Sequence, residues 1–210
     1  LKPLSGALSI GIIPTISPFV LATLLPLLQK KHPELSLDIH EGQSEHIYQQ
    51  LMQGQLDVIL LALPYDMRSV ATHFLWQDEF RLIAAKNSQW LSQRPFELEQ
   101  AADGSVLLLE DGHCLRDHAL SACHIKHIDK VSQLASSSLL TLVELVKQDL
   151  GISFVPEMAL HSPLFHQAEL TVQELPFAAS RDIGWAWRQS STRGDEFKKL
   201  GKLILEACQT

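Results

Sequence analysis

Positive charge, cysteine and unbroken apolar length are all scarce in this chain of 210 residues. Basic residues number 17 against 24 acidic ones, a formal net charge of -7, and no run of Lys and Arg offsets it. A surface with that balance is a poor direct binder of DNA, RNA or anionic membrane. The stretch from Lys2 to Lys30 has no charge between its ends, but Pro14, Pro18, Pro26 and Gly11 interrupt it. A membrane-spanning helix needs about 20 mainly apolar residues in sequence. Strand, turn and helix is the expected reading, and neither a membrane segment nor a signal peptide. There are only three cysteines. Internal repeats and low-complexity tracts are missing. So are C-x-x-C, H-E-x-x-H and G-x-S-x-G spacings, which argues against the usual zinc and serine-hydrolase sites. What is present is ordinary for a folded protein: 46% hydrophobic and 20% charged residues. A chain of this length forms one large domain or two small lobes and buries roughly 70% of its unfolded surface. That excludes a disordered chain and a disulfide-stapled miniprotein. Its first residue is Leu1, so it is expected to be a piece of something longer.

Periodicity sets out the elements. Ala7 to Ile13 reads as a buried strand, Pro14 to Pro18 as a turn, and Leu21, Leu24, Leu25 and Leu28 as one helical face. His32-Pro33 should end that helix. Ser36 to Glu41 is a second strand, and a helix follows with Ile47, Tyr48 and Leu51 inward and Gly54 as its stop. Val58 to Leu63 is a near-continuous apolar strand, as expected for a parallel strand covered on both faces. Together these make βαβαβ within about 60 residues, an α/β half-domain. The pattern then restarts. Phe74 to Ala85 and Ser105 to Glu110 read as strands, and Ser136 to Ser138 as a helix cap. Leu139, Leu142, Val143, Val146 and Leu150 form a helical face closed by Gly151. Ile152 to Val155 and Ile183 to Arg188 are strands, and Phe197, Leu200, Ile204 and Cys208 lie on one face of a closing helix. The expected fold class is α/β, two Rossmann-like lobes joined by a two-strand hinge. Lobe I is 1–76 plus 181–210, and lobe II is 77–180.

Ligands in open α/β sheets bind outside the carboxyl ends of strands, near helix N-termini. Two such turns carry hydroxyls: Thr15 to Ser17 and Gly42 to Ser44. Thr15, Ser17 and Ser44 read as caps and turn residues, and equally as the lining of a small polar crevice between lobes.

The most unusual segment is Asp111 to His127, DGHCLRDHALSACHIKH. Cys114 follows a turn and opens an expected helix. The positive partial charge of that helix end, with His113 and Arg116 near in sequence, would favour thiolate. Thiolate is the form that attacks peroxides. Cys123, flanked by His124, could resolve the product. Two alternatives stand beside this reading. The cysteines could be buried structural residues, or His113, Cys114, His118, Cys123, His124 and His127 could supply metal ligands, although no metal-site spacing is present. No metal and no cofactor are expected. Cys208 reads as a core residue of the closing helix.

The whole chain resembles the effector-binding domain of LysR-type transcriptional regulators, a periplasmic-binding-protein-like fold. The runs LEDGHCLRD (109–117), with Cys123 nine residues after Cys114, GIIPT (11–15) and GISFVPEMAL (151–160) are similar to those of the family's hydrogen peroxide sensors. The resemblance implies that Cys114 is the peroxide-reactive cysteine and Cys123 the resolving one, and that Thr15, His113 and Arg181 surround the peroxide. Asp117 matches a neighbouring position of the reactive segment. Ser44 stands where threonine is common, so the hydroxyl is kept and a methyl lost. Also implied are a missing N-terminal winged helix-turn-helix that binds DNA, a homodimer that becomes a tetramer in the full protein, contact with RNA polymerase, glutaredoxin or thioredoxin as reductant, a cytoplasmic location, and a role in activating antioxidant genes rather than in enzymatic turnover. A relative binding a small organic co-inducer is the alternative.

Overall fold

The structure, a computed structural model, describes residues 4–91, 97–125, 128–162, 165 and 169–208. Its elements in chain order are β1 (Gly6–Ile12), α1 (Ser17–Lys31), β2 (Leu35–Glu41), α2 (Ser44–Met52), β3 (Val58–Leu63) and β4 (Val70–Ala85), then α3 (Cys114–Ala122), α4 (Leu139–Lys147), β5 (Ser153–Pro156), α5 (Glu157–Leu160), β6 (Leu170–Gln173), β7 (Ser180–Arg188) and α6 (Gly194–Cys208). The chain divides into two units, Leu1–Gln77 with Asp182–Thr210, and Asp78–Arg181. The chain passes from one to the other within β4 and again within β7. Both crossings fall one residue later than the spacing of the sequence suggests, and Arg181 consequently lies in the second unit rather than the first.

In the first unit β1 is flanked by β2 and β3, both parallel, with Leu8 opposite Leu37 and Ile10 opposite Val58. The returning strand β7 pairs antiparallel with β3, Ile59 opposite Ala186. Helix α1 buries Ser17, Val20, Leu24 and Leu28. That face is rotated from the expected one, and Leu21 and Leu25 are only half-buried. Pro26 sits inside α1 on its exposed side. The carbonyl it leaves without a helical donor, that of exposed Ala22, faces water. Helix α2 turns Ile47 and Leu51 inward. Tyr48 instead stays at the margin, where its hydroxyl bonds the backbone of Arg68 at 3.0 and 3.2 Å. Gly54 adopts φ 78, the left-handed conformation that stops a helix and suits glycine. Trp185 from β7 and Phe197, Leu200 and Ile204 from α6 complete the core. Burying each such side chain contributes about 1.5–3 kcal/mol. The side chain of Cys208 lies outside the described residues.

In the second unit β4 carries β5 on one edge and β6 on the other, both antiparallel. The run expected as a strand at Ser105 to Glu110 is held only by isolated bridges, Val106 to Val131 and Ile152, and Leu109 to Ser136. Its successive amides point to opposite sides, as in a central strand, Val106 to the Lys130 carbonyl and Leu107 to that of Ile152, but the pairing stops at these single bridges. Helix α4 begins as expected, with the Ser138 side chain accepting from the Thr141 amide. Its end differs. Asp149, not Gly151, takes the left-handed turn, at φ 57. The turn throws Leu150 outward, where it is exposed. Gly151 is needed for closeness instead: a Cβ there would stand 2.5 Å from the Ser105 carbonyl oxygen.

Candidate functional site

The second unit positions the cysteine segment. Gly112, at φ 92, turns the chain, and His113 enters α3 in extended conformation as its N-cap. Cys114 is therefore the first helical residue, 9% exposed, where unpaired amides gather. The His113 side chain is buried beside it in sequence. Arg116 reaches back across the turn that precedes α3: its Nε lies 2.8 Å from Asp111 Oδ1 and its Nη1 donates to the Leu109 carbonyl at 3.1 Å. Asp117 is exposed in the first turn of α3, where its charge suits the helix end.

His118, one turn after Cys114, lies with Nδ1 at 2.7 Å from the Cys114 carbonyl. A carbonyl only accepts, so this nitrogen carries the proton. Spacing i, i+4 was the available signal for that contact, and the sequence reading used His118 only as a ligand type.

Cys123 caps the other end of α3 and is fully buried; neither it nor Cys114 is in a disulfide. Burial pushes the Cys123 thiol up to about 12, because a thiolate would lose its hydration there. The helix stops through Cys123, His124 and Ile125 amides bonded to Ala119, Ser121 and Leu120 carbonyls. His124 holds the left-handed position, φ 56, with its ring 5.3 Å from that of Phe177. Lys126 and His127 lie outside the described residues. Among the described residues no three His, Cys, Asp or Glu side chains gather as a metal cage.

Arg181, the last residue of the second unit, is buried with its side chain against Asp78. Its Nε and Nη2 donate to Asp78 Oδ2 at 3.1 and 3.0 Å. Asp78 escaped the sequence reading. Its signal was an acid inside the strand run FLWQDEFRLIAA.

In the first unit Thr15 and Ser17 are buried in the turn from β1 into α1. Ser44 opens α2, 2% exposed, and among the described residues its Oγ has no hydrogen-bond partner. It is the first helical residue, and the N-cap position before it is held by Gln43. A hydroxyl so placed has donor and acceptor capacity that a small polar ligand could meet.

The profile of the LysR substrate binding domain matches residues 2–209. The chain belongs to that family. Curated relatives include the HTH-type transcriptional regulator EstR of Acinetobacter baylyi, 40% identical over 93% of this chain and 65% of its own length. The DNA-binding transcriptional dual regulator OxyR of Escherichia coli is 29% identical over 97% of this chain and 67% of its own length. This LysR-family chain thus spans about two thirds of the curated relatives it matches. Among solved structures, the reduced regulatory domain of OxyR2 from Vibrio vulnificus aligns with TM-score 0.93 and 36% identity, over 99% of this chain and 98% of that one. A mutant OxyR from Corynebacterium glutamicum bound to H2O2 aligns with TM-score 0.89 and 30% identity, over 99% of this chain and 66% of that one. The fold is the mixed α/β LysR substrate-binding fold. Among the described residues no helix is long and apolar enough to cross a membrane.

Proposed function

We propose that this domain senses hydrogen peroxide for a LysR-type transcription factor, through oxidation of Cys114 and its disulfide with Cys123. The observation that carries the reading is the pair of cysteines, not joined in a disulfide, at opposite ends of one short helix. The Cys114 thiolate attacks one peroxide oxygen, the O–O bond breaks, and hydroxide leaves. Cys114 becomes a sulfenic acid. The Cys123 thiol then displaces water from that sulfur and the disulfide forms. Thr15, Ser44, His113 and Arg181 hold the peroxide and stabilise the leaving oxygen, and Asp117 belongs to the same reactive segment. Reoxidation after each cycle requires prior reduction by a thioredoxin or glutaredoxin, so the domain acts as a switch.

Geometry makes the second step conformational. Nine helical residues separate Cys114 and Cys123 by about 13.5 Å along the axis, and a disulfide tolerates at most roughly 7 Å between Cα atoms. Cys123 is also a buried, protonated thiol. In this reading α3 unwinds and the segment around it refolds before the sulfurs meet. Refolding there would rearrange a homodimer, a tetramer in the full protein, and pass to the DNA-binding domain and RNA polymerase.

The test is sulfenic-acid trapping with one equivalent of peroxide. Cys114→Ser should abolish rapid thiol loss, and Cys123→Ser should accumulate sulfenic acid at Cys114. First trapping at Cys123 or Cys208 overturns the assignment. The 40% identity to the transcriptional regulator EstR, whose name mentions no peroxide, keeps a second reading in view, a small organic co-inducer bound without thiol chemistry. In that case peroxide leaves the thiol count unchanged.

A further inference from the structure

We propose that Asp78 is a positioning residue that aims the Arg181 guanidinium for the peroxide reaction, a role that rests on the peroxide-sensing reading above. An arginine side chain has many rotamers and no preferred direction of its own. Here two adjacent donors on one edge of the planar group, Nε–H and Nη2–H, meet the same carboxylate oxygen, Asp78 Oδ2. Two bonds along one edge of a rigid plane fix where the opposite edge points. The carboxylate is itself held. Its Oδ1 accepts the Met158 amide N–H at 3.1 Å. That amide belongs to the first turn of α5, where helical partners are missing. Met158 closes the arrangement from the other side, with its Sδ 3.5 Å from Arg181 Nη2.

The backbone adds its own constraint. The Phe80 amide donates to the Ala179 carbonyl at 2.8 Å, two residues along the chain from each member of the pair. Asp78 and Arg181 are the first and last residues of the second unit, the unit that also carries Cys114. Their side chains are 2% and 0% exposed. A buried ion pair adds little stability over a well-packed apolar pair of the same volume. Stability alone therefore does not explain it, whereas holding a cation in one orientation does.

The experiment uses the Cys123→Ser background, so that reaction stops at the sulfenic acid. Rates of Cys114 with hydrogen peroxide and with iodoacetamide are measured across pH for Asp78→Glu, Asp78→Asn, Arg181→Ala and Asp78→Asn/Arg181→Ala. Asp78→Glu keeps the charge but moves the carboxylate by one methylene. It should slow the peroxide reaction on the order of tenfold to a hundredfold. Alkylation and its pH profile, which report thiolate content and access, should stay unchanged. Asp78→Asn should add nothing to the loss already caused by Arg181→Ala. If Arg181→Ala slows the reaction but Asp78→Glu does not, the positioning role is wrong and the site reading survives. A fall in both peroxide and alkylation rates for Asp78→Glu makes Asp78 merely structural and also overturns the role. If Arg181→Ala leaves the peroxide rate untouched, the site reading fails and takes the proposal with it.

Discussion

Two side chains show how burial decides chemistry at the residue scale. Among the described residues the buried Ser44 hydroxyl has no hydrogen-bond partner. An unsatisfied buried hydroxyl costs about 1–3 kcal/mol. Ser44→Ala is therefore expected to leave the melting temperature unchanged or raise it, while slowing the peroxide reaction of Cys114. A lowered melting temperature with an unchanged rate would make Ser44 a structural residue. Cys123 is the other case. Its folded pKa, raised to about 12 by burial, lies above that of the unfolded chain, near 8.5 for an ordinary thiol. Between those values the unfolded chain has lost the proton and the folded one keeps it. Stability contributed by the neutral buried thiol is thus complete below about pH 8.5 and is lost as pH rises toward 12, by about 1.4 kcal/mol per pH unit. Urea titrations of the reduced domain from pH 8 to 10 should show that decline, and Cys123→Ala should flatten it.

Helix α3 is the element on which the proposed switch turns. Its core contacts are few, since only Cys114, Leu115 and Ala119 of its nine residues are buried. It is held at its ends instead. Arg116 ties the first turn to Leu109 and Asp111, and His118 bonds the Cys114 carbonyl. The far end stops on His124, a residue with a side chain in a left-handed conformation that costs roughly 1–2 kcal/mol. An element with little buried area and a strained stop is a low-stability segment. Oxidation by one equivalent of peroxide should therefore accelerate amide exchange from Cys114 to Ile125 and leave β1 and β3 as protected as before. Unchanged exchange in α3 after disulfide formation would rule out the refolding step.

On the scale of the whole molecule, two places present apolar side chains to solvent. Leu25, Leu35, Leu37 and Ile39, together with Gln29 and His32, line a cavity of about 380 Å³ between α1 and the edge strand β2 of the first unit. In the second unit Leu140 and Leu150, on and beyond α4, are about half exposed. An uncovered sheet edge beside apolar side chains favours association. Sedimentation of the reduced domain at micromolar concentration should give a dimer. A monomer in both redox states would place all association in the rest of the protein.

Much of this was legible in the order of residues, because it depends on neighbours along the chain. The apolar run Val58 to Leu63, the helix stop at Gly54 and the cap at Ser138 each follow from local backbone preferences. So does the spacing of Cys114 and Cys123 along a helix, which already implies that the sulfurs cannot meet there. What only the tertiary structure decided are the pairings. Arg181 finds Asp78, 103 residues away. Leu150 continues the period of α4 and is still exposed, because Asp149 turns the chain first. Electrostatic partners and burial depend on distance in space, and periodicity along a chain carries no record of which distant groups the fold brings to within a few ångströms.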